Sequence, residues 1–167
     1  METDSVDRIV EAWAHRDPEL DASPLEVVGR LLVCAGYLER AIVAALHPFG
    51  LSFGDFDVLN TLRRRGERNG TKPRDLAQSS LITSGAMTSR LDRLERAGLI
   101  ARKPDPADRR GVLVRVTDRG EILAERALDA VIAADEAFLE PLSQQQREAV
   151  ASTLKLLLLR AEPGQPT

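Results

Sequence analysis

A chain of 167 residues and 18.3 kDa, 43% apolar and 29% charged, has the size of one ordinary domain, or one with helical additions, and is too apolar for long disorder. Its one cysteine, Cys34, excludes an intrachain disulfide and fits a reducing compartment, and neither a signal peptide nor an apolar run of about 20 residues is present, so a cytoplasmic protein with no membrane partner is expected. The net charge of −3 does not by itself suggest a nucleic-acid partner.

Val6, Ile9, Val10 and Trp13 form one helical stripe, which Asp17-Pro18 ends. Ser23-Pro24-Leu25-Glu26 reads as a capping box, with Ser23 as cap, opening a helix to about His47. Leu25, Val28, Leu31, Leu32, Ala35, Leu38, Ile42, Ala45 and Leu46 lie on its apolar side, and Gly50 stops it. Ser52-x-x-Asp55 starts a further helix carrying Phe56, Leu59 and Leu62, which breaks near Gly66. Pro73 opens a short helix with Leu76 and Ala77 inward. Thr83 caps the next, SGAMTSRLDRLERAG, whose Met87, Leu91 and Leu94 form a seam and whose stop is Gly98.

Leu99–Lys103 reads as a strand, and Val112, Val114 and Val116 alternate with Leu113, Arg115 and Thr117 in a second. The intervening PDPADRRG reads as a loop with Arg109 and Arg110 near its tip and with Asp105 and Asp108 able to brace it or to pair with the guanidinium groups. Thr117 caps a long helix to about Glu140, and Ser143-x-x-Gln146 boxes a last helix that ends before Pro163. The expected fold is mainly α with a small β-hairpin: a winged helix-turn-helix on a helical dimerisation scaffold. Residues 1–50 and 120–167 form that scaffold and residues 51–119 the DNA-binding region.

Charge separates along the same lines. Residues 61–119 hold 15 Lys and Arg against 7 acids, a net +8, while the remainder carries −11. A basic centre between acidic ends suits a polyanion-binding module on a self-associating scaffold. On the helix after Thr83, the face opposite the seam holds Gly85, Ser89, Asp92, Arg93 and Arg96, with Ser84 and Thr88 on a flank. Small polar residues admit such a helix to the major groove, about 12 Å wide, where Arg93 can read guanine or reach a phosphate. Arg109 and Arg110 suit a minor groove. Thr83, Ser84, Gly85, Thr88, Ser89, Arg93, Arg109 and Arg110 are therefore the candidate contacts to double-stranded DNA. Surplus apolar residues at both ends, Val6, Ile9 and Trp13 and the Leu154–Leu159 stretch, predict a two-fold homodimer.

The segments GLSFGDFDVLNTL and DLAQSSLITSGAMTSRLDRLERAGLIARKPDPADRRGVLVRVTDRG, with the helices around them, resemble the MarR family of transcriptional regulators. The resemblance covers nearly the whole chain. It implies a dimer that usually represses a divergent gene until a small molecule binds. The extra N-terminal helix with Trp13 resembles the urate-responsive (UrtR/PecS-like) and TamR branch, the latter associated with citrate and trans-aconitate. The residues marking that branch match Trp13, Asp57, Arg90 and Arg102, the last three spaced by 33 and 12 residues. The resemblance thus implies a site for a small anionic ligand among these four. Their own placement allows it. Arg90 lies about 60° from the buried seam on a helical wheel, and Asp57, beside Phe56 on a mostly buried helix, needs a partner that Arg90 or Arg102 could supply.

Three other readings compete with this one. Redox sensing through Cys34 has Tyr37 nearby, but Cys34 lies among Leu32, Val33 and Ala35, and a buried thiol is usually inert. A metal sensor has only His15, His47 and Cys34 to draw on, without ligand spacing. A non-catalytic protein-interaction module leaves the hairpin unexplained. No GxSxG, Walker loop, GxGxxG or CxxC is present, so neither enzymatic activity nor a cofactor is expected.

Overall fold

The computed structural model describes residues 2–67, 69–80 and 87–162, the Arg109 side chain excepted. Helix α1 (Ser5–Arg16) starts on a reciprocal box. The Asp4 carboxylate accepts the Val6 and Asp7 amides at 2.8 and 2.9 Å, and Asp7 accepts the Asp4 amide at 2.9 Å. Helix α2 (Ser23–Leu46) does not begin as the sequence suggests. Ser23 is its first helical residue, the cap position is Ala22, and Asp21 accepts the Ser23 amide at 3.0 Å. Arg30 of α2 reaches Asp4 and Asp7 at 2.8 and 2.5 Å and holds α1 against α2. Gly29 permits the approach, since a Cβ there would stand 3.0 Å from Val6 Cγ1.

A 3₁₀ turn (His47–Phe49) and left-handed Gly50 lead into α3 (Phe53–Arg65). Ser52 and Asp55 form the expected capping box there, and left-handed Gly66 ends the helix. Helix α4 (Pro73–Ser79) follows, then α5, described over Met87–Arg96. The stretch expected to cap and open α5, including Thr83, Ser84 and Gly85, lies outside the described residues. Strands β1 (Ile100–Asp105) and β2 (Asp108–Val116) pair antiparallel, with Ile100 opposite Val116 and Lys103 opposite Leu113. Helix α6 (Asp118–Leu139) is capped by Thr117, and α7 (Gln144–Ala161) by the Ser143/Gln146 box.

The core gathers where the central elements meet. Phe56, Leu59 and Leu62 of α3, Leu76 of α4, and Met87, Leu91 and Leu94 of α5 pack with Leu99, Ile100 and Val114 of the hairpin and Ala124, Ala127 and Val131 of α6. The terminal helices are different. Only Val6 of α1 and Leu46 of α2 are buried, and α7 buries nothing, with Leu32 70% and Leu156 69% exposed. No helix among the described residues is long and apolar enough to cross a membrane.

Two details of the hairpin differ from expectation. Val112 is exposed and its neighbour Leu113 buried, which breaks the simple alternation. The chain before α4 runs along β2: Thr71 and Val114 exchange N–H···O bonds at 2.9 Å, and a Cβ on Gly70 would sit 3.2 Å from Leu113 Cβ. That segment lies along the free edge of β2. The strands also extend further than the Pro/Gly content suggests, leaving only Pro106 and Ala107 between them. Arg109 and Arg110 therefore lie on β2 rather than in a loop.

Candidate nucleic-acid and ligand sites

On α5 the buried seam of Met87, Leu91 and Leu94 fixes which residues face outward. Thr88, Ser89, Arg93 and Arg96 are exposed, and Ser89 is engaged with a partner. Arg93 is tied down at one edge. Its Nε donates to Asp55 Oδ2 at 3.0 Å and its Nη2 to Asp55 Oδ1 at 2.6 Å, a fork-to-fork pair with a carboxylate that is almost fully buried. The bond to Asp55 raises the guanidinium pKa above its ordinary value. Asp55 meanwhile accepts the Ser52 hydroxyl at 2.7 Å within its capping box. The sequence identifies Asp55 as a cap but not as the partner of Arg93.

The hairpin tip is braced by its two acids, as expected. Asp105 Oδ1 accepts the Ala107 amide at 2.9 Å, and Asp108 Oδ1 accepts the Arg110 amide at 3.0 Å. Lys72, at the entrance to α4, adds an ion pair at 3.2 Å to buried Asp105. The Ala107 amide, and then Lys72, hold the Asp105 carboxyl below the usual carboxylate range. Gly111 makes this turn possible, because a Cβ would come within 2.9 Å of Asp105 Cβ. Arg110 is exposed.

Several other cations of the basic segment bond within the protein. Arg64 bonds Thr61 Oγ1 at 3.1 Å and the Ser79 carbonyl, and Arg65 reaches Ser79 Oγ at 2.8 Å, so α3 grips the end of α4. Arg63 pairs with Glu121 of α6 at 2.9 Å. The net +8 therefore overstates the charge open to a polyanion.

The four ligand candidates lie on α1, α3, α5 and β1. Asp57 is buried on α3 and Arg90 half-buried on α5, and both are engaged. The Arg102 guanidinium turns to α5, reaching Asp92 Oδ1 at 2.6 Å and Glu95 Oε2 at 3.4 Å. It also lines an open groove of about 340 Å³ with Lys103, Arg115 and Thr117. Trp13 is 43% exposed on α1.

Cys34 is exposed in the single chain, contrary to the expectation of burial among its apolar neighbours, because that stretch of α2 has little packed over it. Among the described residues no three or more His, Cys, Asp or Glu side chains could hold a metal ion.

The profile of the MarR family matches residues 49–111, the stretch from the 3₁₀ turn through the hairpin tip. The chain is 35% identical to the HTH-type transcriptional regulator PecS of Dickeya dadantii over 94% of its own length and 92% of the relative's. It is 38% identical to the HTH-type transcriptional repressor Rv2887 of Mycobacterium tuberculosis over 77% of this chain and 89% of that one. The Rv2887 protein in complex with DNA superposes with a TM-score of 0.62 at 30% identity, covering 78% of this chain and 96% of that one. CouR of Rhodococcus jostii, bound to p-coumaroyl-CoA, superposes at 0.68 with 26% identity, covering 88% and 96%. PecS and Rv2887 are transcriptional regulators, not enzymes, and the similarity to PecS spans nearly the whole chain. The chain belongs to the MarR family of transcriptional regulators.

Proposed function

We propose that this regulator is a homodimeric repressor that binds a pseudo-palindromic operator and is released by a small anionic metabolite, a urate-like purine or citrate/trans-aconitate. The carrying observation is the outward face of α5, where exposed Thr88, Ser89 and Arg93 precede a braced hairpin bearing Arg110. In this reading Thr83, Ser84, Gly85, Thr88, Ser89 and Arg93 meet the major groove, while Arg109 and Arg110 meet the minor groove. Residues 51–119 are the DNA-binding region. Residues 1–50 and 120–167 are the scaffold, whose exposed apolar helices support pairing with a second copy. A two-fold dimer would set two copies of α5 on half-sites about one helical turn apart.

Trp13, Asp57, Arg90 and Arg102 form the ligand site in this proposal. The ion pairs of Arg102 with Asp92 and Glu95 support a competitive mechanism. An anion that draws Arg102 away from these acids changes what holds α5. It acts as an inducer to the extent that it favours the conformation that does not fit DNA.

The experiment is fluorescence anisotropy on DNA upstream of the chain's own gene, at moderate salt, with and without urate, citrate or trans-aconitate. Tight, sequence-selective binding that one of these anions weakens is expected, with the weakening lost in Arg90→Ala and Arg102→Ala. Selective binding that ignores all three anions sinks the ligand assignment and leaves the DNA-binding one standing.

A further inference from the structure

We infer that Asp55 is a positioning residue for DNA binding: its carboxylate fixes one edge of the Arg93 guanidinium so that the opposite edge is presented to a DNA phosphate. The inference rests on the DNA-binding reading above and goes beyond it by assigning a role to a buried acid on a different helix.

The geometry is asymmetric. The Asp55 side chain is 5% exposed and that of Arg93 51%. Asp55 uses both oxygens on Nε and Nη2, so the edge of the fork that faces the protein is filled. The Nη1 end lies outside this pair, on a half-exposed side chain one turn beyond exposed Ser89. Arginine carries five N–H donors in a fixed plane, so fixing two of them aims the others. Swinging Arg93 away to read a base with its inner edge would leave the Asp55 carboxylate buried without its cation, which is unfavourable. The pair therefore acts as a unit, a cation buttressed from behind. An end-on guanidinium of this kind suits a phosphate oxygen, whose contacts set register without reading sequence.

Charge makes the inference testable by sign. Asp55→Asn removes a negative charge beside the proposed contact. If charge alone mattered, it would tighten DNA binding and steepen its salt dependence. If Asp55 positions Arg93, the same variant weakens binding.

Two fluorescein-labelled duplexes serve as probes, one enriched from a random library by the wild-type chain and one of random sequence. Anisotropy is recorded across a salt series, with circular dichroism melting as the folding control. Asp55→Asn and Arg93→Ala are each expected to weaken binding to both duplexes, by roughly tenfold, and the double variant to be no worse than either single one. Arg93→Ala should also lower the salt slope by about one. Ser52→Ala, which removes the capping partner but keeps the Arg93 pair, is expected to lower the melting temperature while leaving affinity near wild type. The inference is overturned if Asp55→Asn tightens binding or leaves it unchanged, if the two single effects add, or if Ser52→Ala weakens binding as much as Asp55→Asn. A loss confined to the enriched duplex would make Arg93 a base reader and also overturn it. A wild-type chain that binds neither duplex at low salt sinks the DNA-binding reading itself.

Discussion

Gly120, in the first turn of α6, lies directly against the carbonyl of Leu99: a Cβ on Gly120 would fall 2.0 Å from that oxygen and 2.9 Å from its carbon. The oxygen has little freedom to retreat, because it accepts the Thr117 amide at 3.0 Å. Thr117 in turn donates its hydroxyl to the Gly98 carbonyl at 2.8 Å and caps α6 through the Gly120 amide at 3.1 Å. The turn after α5, the start of β1 and the start of α6 thus share one backbone junction. Gly120→Ala is expected to destabilise the fold by about 3 kcal/mol or more, the upper range for overpacking, because the clash is with backbone rather than with a flexible side chain. Urea unfolding of the variant measures it, and a loss under about 1 kcal/mol would mean that the junction yields.

The local side of this architecture is legible in the sequence. Ser52 with Asp55, Ser143 with Gln146, and Thr117 all cap the helices they announce, because a cap needs only residues two or three apart. Ser23 misleads for an equally local reason: Asp21 takes its amide, so Ser23 enters the helix instead of capping it. The outward face of α5 follows from periodicity once Met87, Leu91 and Leu94 are recognised as the seam. What periodicity cannot encode is which distant acid meets which arginine. Arg93 and Asp55 are 38 residues apart, and Arg102 turns back to Asp92 and Glu95 of α5. Nor does a strand's alternation reveal that Thr71 pairs with Val114 or that Gly70 comes up against Leu113.

The hairpin brace carries a pH dependence of definite sign. Bonding to the Ala107 amide and the pair with Lys72 lower the Asp105 pKa below 3.8 in the folded chain. Its contribution to stability is therefore fully present above pH 3.8 and lost as pH falls through the lower folded value. Lys72 is the mirror case. Asp105 raises its pKa above 10.5, so its contribution holds below pH 10.5 and is lost as pH climbs through the raised value. Asp105→Ala should remove hydrogen-exchange protection from the Ala107 amide at neutral pH and flatten the acid limb of the stability profile. Unchanged protection at Ala107 would show that the turn holds without its acid.

Asp135, on α6, shows the opposite behaviour. One of its oxygens is buried without a hydrogen-bond partner, and burial, followed by repulsion from Glu136, raises its pKa above 3.8. An acid whose pKa is raised on folding binds more protons folded than unfolded. Its ionised form thus weakens the fold above the raised value, and the penalty disappears below pH 3.8. Asp135→Asn is expected to be more stable than the wild type at pH 7 and to converge with it in acid. The midpoints of urea titrations at the two pH values report this, and a variant less stable at pH 7 would show that the carboxylate has a favourable partner in the assembled protein.

Helix α7 gives the sharpest test of assembly. Leu156, Leu157, Leu158 and Leu159 are successive residues and all are at least half exposed, so they point around most of the helix circumference and no single intramolecular face could cover them. Ile9 and Trp13 of α1 and Val27, Val28 and Leu32 of α2 add exposed apolar surface on the same scaffold. Burying one leucine is worth about 1.5–3 kcal/mol, which corresponds to roughly ten- to a hundredfold in a dissociation constant. Each leucine replaced in a two-fold dimer is removed twice. Sedimentation equilibrium of the wild type should therefore give twice the 18.3 kDa chain mass, with a melting temperature that rises with protein concentration. Leu157→Asp should raise the dimer dissociation constant at least a hundredfold by the same arithmetic and, by separating the paired recognition helices, weaken operator binding more than random-duplex binding. A wild type that sediments as a monomer at micromolar concentration, with a melting temperature independent of concentration, would rule the dimer out.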